Sequence, residues 1–120
     1  MKESILRTKS FEFSLLIIQE YKNLCEKRKE YVSSKQLLKS GTSIGANIEE
    51  ASGAQSKKDF LHKISISYKE AREARYWIRL LKAGGYLTEE STDNLLYNID
   101  EILRMTGSTI LTTKNNLRKN

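Results

Sequence analysis

Proline is missing from this sequence altogether. A proline inside a helix removes a backbone hydrogen bond and clashes with the preceding turn, so its absence removes the commonest interruption to long helices. Cysteine occurs once, as Cys25. An intramolecular disulfide is excluded, and so is a CxxC half-site for zinc. Its neighbours Leu24, Tyr21 and Ile18 predict a buried core thiol rather than a reactive one. Histidine also occurs once, as His62. A nucleophile–histidine–acid set would have to use that one ring for everything. A di-metal carboxylate site needs two Glu-x-x-His pairs, and Asp59-x-x-His62 has no second copy. No apolar run approaches the roughly 18 residues that cross a bilayer. The opening MKESILRTKSFEF carries charges where a signal peptide needs an apolar stretch. These absences predict a cytoplasmic protein with no membrane span, no cofactor, no metal and no catalytic machinery.

What is present is charge and helical periodicity. At 120 residues, 38% apolar and 30% charged, the chain suits one helical domain spanning 1–120. Lysine and arginine number 21 against 15 acids, for a net charge of +6. No acid follows Glu101, whereas Arg104, Lys114, Arg118 and Lys119 do; Lys27, Arg28 and Lys29 form a second cluster. Such an excess favours anionic partners, although solubilising surface charge accounts for it equally well.

Four helices are expected. The first runs from about 10 to 29, with Phe11, Ser14, Ile18, Tyr21 and Cys25 as its stripe, widened by Phe13, Leu16, Ile17 and Leu24. The basic cluster at its end complements the helix dipole. The second spans about 34–55, with Ser33 or Ser34 as N-cap and Leu37, Gly41, Ile44, Ile48, Ala51 and Gln55 in line. Within it, SGTSIGANIEEASGAQS has glycines spaced Gly41-x-x-x-Gly45 with no lysine following. A phosphate loop needs another spacing and a preceding strand. The small residues therefore predict close approach of a second helix, which offsets glycine's poor helix propensity. A break near Gly53 is also consistent with this composition.

The third helix, about 57–83, begins at Lys57 or Ser56 with Asp59 in its first turn. Phe60, Ile64, Ser67, Ala71, Ala74, Ile78 and Leu81 keep a 4-3 spacing. Ile66, Trp77 and Leu80 widen this stripe on one flank, and Leu61 and Tyr68 on the other. Either the bundle wraps so wide a stripe or a second subunit covers it. Gly84 and Gly85 end the helix. Thr88 then caps a fourth, about 88–115, with Leu96, Ile99, Leu103, Thr106, Ile110, Thr113 and Leu117 in line and Leu95, Ile102 and Met105 beside them. Gly107 and the threonines weaken its second half, and fraying is expected over 116–120. Four helices with short turns make an all-α, antiparallel up-down-up-down bundle.

Asn47, Glu50, Glu70, Arg75 and Arg79 lie near apolar seams. Polar groups placed there fix register or partner choice, so a cross-helix or intersubunit network is one reading and separate solvated charges the other. The paired carboxylates Glu49/Glu50 and Glu70/Glu73 read as helix-surface ion pairs, Glu73 having Lys69 four residues before it.

QLLKSGTSIGANIEEA, SKKDFLHKISIS and EAREARYWIRLL, within Ser33–Leu87, resemble the four-helix-bundle family of 23S rRNA intervening-sequence proteins, also labelled S23 ribosomal protein. The resemblance implies a four-helix bundle assembling into a homopentameric ring, which would account for the wide stripe on the third helix; the Trp77 flank of that stripe is then either an interface or intramolecular core. The architecture is similar to the accessory protein of diversity-generating retroelements, which is pentameric and basic and binds nucleic acid and a reverse transcriptase. No activity follows from the family name. The expected function is a non-catalytic homo-oligomeric scaffold binding RNA or DNA with little sequence specificity. Contacts would come from Lys27, Arg28, Lys29, Lys57, Lys58, Lys114, Arg118 and Lys119, with Tyr31 and Tyr86 as the loop aromatics able to stack on bases. A scaffold for a protein partner, such as a nucleic-acid-processing enzyme, is the alternative.

Overall fold

The computed structural model describes residues 2–119, and side-chain surroundings from Ile5 onward; it contains four α-helices and, among the described residues, no strand. They are α1 (Lys2–Glu26), α2 (Ser33–Ser52), α3 (Lys57–Ala83) and α4 (Glu89–Lys119). Each packs on the next, most extensively α2 on α3, and α4 returns to α1 to close the bundle. Its long axis measures 52 Å and its cross-section 22 × 21 Å.

Contacts along the seams fix the helix directions. Tyr68 lies against Gly107, and Arg75 bonds Asp100. Seven residues up α3 are thus seven residues down α4. Arg7 pairs with Glu49 and Ile17 faces Gly41, giving α1 and α2 the same opposed sense.

The core is built from Leu6, Phe13, Ile17 and Leu24 of α1, Leu37, Ile44 and Ile48 of α2, Ile64, Ile78 and Leu81 of α3, and Leu95, Ile99 and Ile102 of α4. The α3 seam follows the expected 4-3 line. The α1 seam does not. Phe11 is 66% exposed and Ile18 38%, while the buried row is Leu6, Ser10, Phe13, Ile17 and Leu24. That row starts a turn earlier than expected, which is why α1 extends back to Lys2: Leu6 is buried, and Arg7 and Lys9 are tied to Glu49 and Glu101. Cys25 is half-buried rather than a core thiol, with its sulfur 3.8 Å from both the Glu30 carbonyl and Ser34 Oγ. On α4 the buried row is likewise shifted, to Thr92, Leu95, Ile99, Ile102, Thr106 and Thr113.

The small residues of α2 seat α1. A Cβ at Gly41 would lie 2.9 Å from Ile17 Cγ1, and one at Gly45 would lie 3.4 Å from the Ser10 carbonyl oxygen. On its other side α2 receives a buried hydrogen bond, Ser67 Oγ donating to the Ile44 carbonyl at 2.9 Å. SGTSIGANIEEASGAQS is therefore helix as far as Ser52, with Gly53 as C-cap and Gln55 beyond the end.

Termini follow local chemistry. Ser56 Oγ accepts from the Asp59 N–H, and Thr88 Oγ1 from the Ser91 N–H, as N-caps do. Gly85, at φ +86°, ends α3 with Tyr86 N–H reaching the Leu81 carbonyl and Gly85 N–H that of Lys82. At α2 the serines are not the cap. Glu30 accepts from the N–H groups of both Ser33 (3.1 Å) and Ser34 (2.7 Å). Helix α4 runs past the expected limit at 115, continuing to Lys119, and Asn120 lies outside the described residues. Thr106, Thr109 and Thr113 donate their hydroxyls to carbonyls one turn back, so they sit inward without unsatisfied groups. Arg118 and Lys119 close the last turn where the dipole favours cations.

Candidate nucleic-acid interface

The eight basic residues expected to touch nucleic acid do not form one surface. Lys57 and Lys58 open α3, while Lys114, Arg118 and Lys119 close α4. These helices run oppositely, and the register from Tyr68–Gly107 carried to their ends sets Lys57 level with Arg118. All five are exposed, and none is within ion-pair distance of a carboxylate among the described residues. They form one basic end of the bundle.

Lys27, Arg28 and Lys29 lie at the opposite end, just past Glu26 where α1 stops. Arg28 is already engaged there. Its Nη2 donates to the Gly85 carbonyl at 2.7 Å and its Nη1 to that of Tyr86 at 3.4 Å, with the guanidinium 5.6 Å over the Tyr86 ring. It ties the α1–α2 connection to the α3–α4 turn. Lys29 adopts a left-handed φ of 56°, and the next N–H, of Glu30, reaches the Leu24 carbonyl. This cluster is a joint between two connections. Tyr31 and Tyr86 are both exposed at this end, away from the five free cations.

The polar set near the seams is likewise distributed rather than joined. Asn47 donates to Ser43 O within its own helix. Glu50 pairs with Lys63 at 2.8 Å, and Arg75 Nε with Asp100 at 2.7 Å. Together with Arg7–Glu49 and Lys9–Glu101, one ion pair crosses each of the four helix–helix seams. Sequence reasoning missed the partners because each of the four lies more than two turns away in chain order, on another helix. Partly exposed pairs of this kind set register more than stability. The hydrogen bond to Glu101 holds the Lys9 ammonium above the usual lysine range, and that to Glu50 does the same for Lys63. Glu70 faces Lys39 across the α2–α3 seam, but burial and the nearby Glu73 push its carboxyl upward.

Trp77 is half-buried against the core, with Nε1 donating to Glu73 at 3.1 Å. The wide α3 stripe is therefore largely wrapped by the bundle itself, leaving Leu80 exposed. The uncovered apolar face belongs to α1 instead. Phe11, Leu15 and Ile18 are exposed at 4-3 spacing, beside a shallow groove lined by Arg7, Thr8, Glu12 and Glu49.

The family model of the 23S rRNA-intervening sequence protein matches residues 2–108 of this chain. The chain belongs to that family. The match ends before Lys114, Arg118 and Lys119, so the last turns of α4 lie outside it. Among solved structures, the chain is similar to a protein of unknown function from the S23 ribosomal protein family of Bacteroides thetaiotaomicron. The two share 45% identity over 92% of this chain and 98% of that one, with a TM-score of 0.90. No curated protein matches.

Proposed function

We infer that this protein is a non-catalytic scaffold that assembles with copies of itself, as a homopentameric ring, and binds RNA or DNA through basic surfaces with little sequence specificity. The observation that carries the nucleic-acid reading is the basic end, where Lys57, Lys58, Lys114, Arg118 and Lys119 converge from two helices without acidic partners among the described residues. Mobile cations unpaired with acids attract phosphate and release its counterions, a contribution blind to sequence. Ring assembly multiplies that charge. Self-association is supported by the α1 face, where Phe11, Leu15 and Ile18 form an apolar row rimmed by Arg7, Glu12 and Glu49. Charges of both signs beside an apolar row suit a second copy of the same chain.

Binding of a labelled structured RNA at about 50 and 200 mM salt tests the reading, with a helical bundle of equal charge as control. Affinity above the control and falling steeply with salt is expected. Lys57→Glu with Lys58→Glu lowers the affinity and flattens the slope. Binding no stronger than the control would sink the nucleic-acid reading. Recovery of one stoichiometric protein partner after nuclease treatment would then favour the protein-scaffold alternative.

A further inference from the structure

Between α3 and α4 lies a groove of about 300 Å³ lined by Tyr68, Arg72, Arg75, Tyr76, Arg79 and Leu103, none of them among the eight cations named from the sequence as nucleic-acid contacts. Three guanidiniums crowd onto two turns of one helix. Arg75 gives Nε to Asp100 and keeps its two Nη groups outside that bond. Arg72 and Arg79 are exposed and have no carboxylate within ion-pair distance among the described residues. Exposed like charges at this spacing repel weakly in water, and an anion bridging them turns that repulsion into attraction. Guanidinium forks match phosphate oxygens bidentately, and Arg72 to Arg79 spans about 10 Å of helix rise.

Aromatic rings stand beside the arginines. Tyr68 is half-buried against Gly107, and Tyr76 is 53% exposed. The Tyr76 ring is held edge-on to Trp77, centroids 5.0 Å apart at 75°. A half-exposed ring thus stands next to a row of guanidinium groups. Stacking on such a ring requires a base with a free face, which a duplex does not offer and a single strand does.

One face of α3 leads from the groove to the basic end. Lys58, Ser65, Arg72 and Arg79 recur every seven residues along α3, so they drift by only about 20° per repeat around the helix. Lys58 to Arg79 covers about 30 Å, the length of roughly nine stacked nucleotides at about 3.4 Å each.

The geometry points to a single-strand track along α3: phosphates on Arg72, Arg79 and the free Nη groups of Arg75, a base stacked on Tyr76, and the strand continuing to Lys58 at the basic end. This rests on the nucleic-acid reading above and names its ligand, the phosphodiester backbone of single-stranded RNA or DNA.

The test is fluorescence anisotropy with labelled oligouridylate and oligothymidylate of about twelve nucleotides, enough to cover the track at about 3.4 Å per residue. Wild type is compared with Arg72→Gln/Arg79→Gln, Tyr76→Ala and Lys57→Gln/Lys58→Gln at about 50 and 200 mM salt. The double arginine variant should bind both oligomers at least about tenfold more weakly, with a salt slope lower by about 1.4, two single-strand phosphates' worth. Tyr76→Ala should weaken binding about fivefold or more and leave the slope unchanged, since stacking carries no charge. Arg72→Lys/Arg79→Lys, which keeps the charge and the fold, should restore the slope. Wild-type affinity and slope in the double arginine variant, with binding lost in Lys57→Gln/Lys58→Gln, would overturn the track and leave the basic end as the interface. A change in assembled mass by light scattering, with strand affinity intact, would make the groove a protein contact and overturn it too. Wild-type binding no better than an equal-charge bundle would overturn both this track and the nucleic-acid reading.

Discussion

Glu70 shows how little a seam-facing carboxylate has to contribute to folding. Its carboxyl is pushed above the ordinary range by burial first and by Glu73 second, and Lys39 opposes this only in part. A raised carboxyl binds its proton more tightly in the folded chain than in the unfolded one. Its favourable contribution is therefore present in full below the ordinary carboxylate range, near pH 4, and is lost as pH rises through the folded value. At neutral pH the ionised group costs stability. Glu70→Gln is expected to raise the melting temperature at pH 7, with the advantage closing as the pH falls below about 4. Thermal unfolding followed by circular dichroism across that range checks it. A variant that melts lower than wild type at neutral pH would mean that the attraction of the Lys39 charge outweighs the burial.

At the scale of the element, α2 is started by a residue of the preceding loop. Glu30 accepts two of the N–H groups that the first turn of any helix leaves without a partner. Val32, at the N-cap position, has no side chain able to do so. The hydroxyl of Ser34 also returns to the Glu30 carbonyl at 2.7 Å, so loop and helix hold each other. Glu30→Ala is expected to cost about 1–2 kcal/mol, the loss of a charge-assisted cap. Ser33→Ala, whose hydroxyl makes no cap bond, should cost a few tenths at most. Urea unfolding of the two variants distinguishes them, and equal losses would mean the serine side chain contributes after all. The serine pair is an obvious capping signal in sequence. That a glutamate three residues earlier does the work depends on the left-handed turn at Lys29, which brings its carboxylate back over the helix start.

At the scale of the molecule, the width of an apolar stripe proved a poorer guide to a free surface than its location. On α3 most of the flanks fold into the bundle; Trp77, Ile66 and Leu61 are all half-buried, whereas Leu80 is exposed. On α1 the second apolar row has nothing over it, because α2 and α4 take the row of Leu6, Phe13 and Ile17 on the other side. If copies of the chain meet through that face, Phe11→Ser with Leu15→Ser should reduce the assembled mass measured by light scattering. Stability of the isolated bundle should change by no more than about 0.5 kcal/mol, as at other exposed sites. Trp77→Ala should do the reverse, costing roughly 2–3 kcal/mol for a half-buried aromatic while leaving the mass unchanged. Loss of assembly on Trp77→Ala alone would place the interface on α3 instead.

Four helices, and most of their limits apart from the start of α1, were legible in the sequence, because helical spacing, glycine stops and the cap at Thr88 act within a few residues. The α2 and α3 seams were legible for the same reason: each of those helices carries one dominant apolar row. Helix α1 carries two, Phe11–Leu15–Ile18 and Leu6–Phe13–Ile17, and local spacing ranks them equally. Only packing against Gly41 and Gly45 decides, since the backbone approach they permit admits Ile17 and Ser10 on that side. Likewise the number of basic residues was plain in the chain. Their division into a basic end, a joint built around Arg28 and an arginine groove depends on which helix ends and faces the antiparallel register brings together. Charge is a property of residues, whereas a charged surface exists only after the helices have found their neighbours.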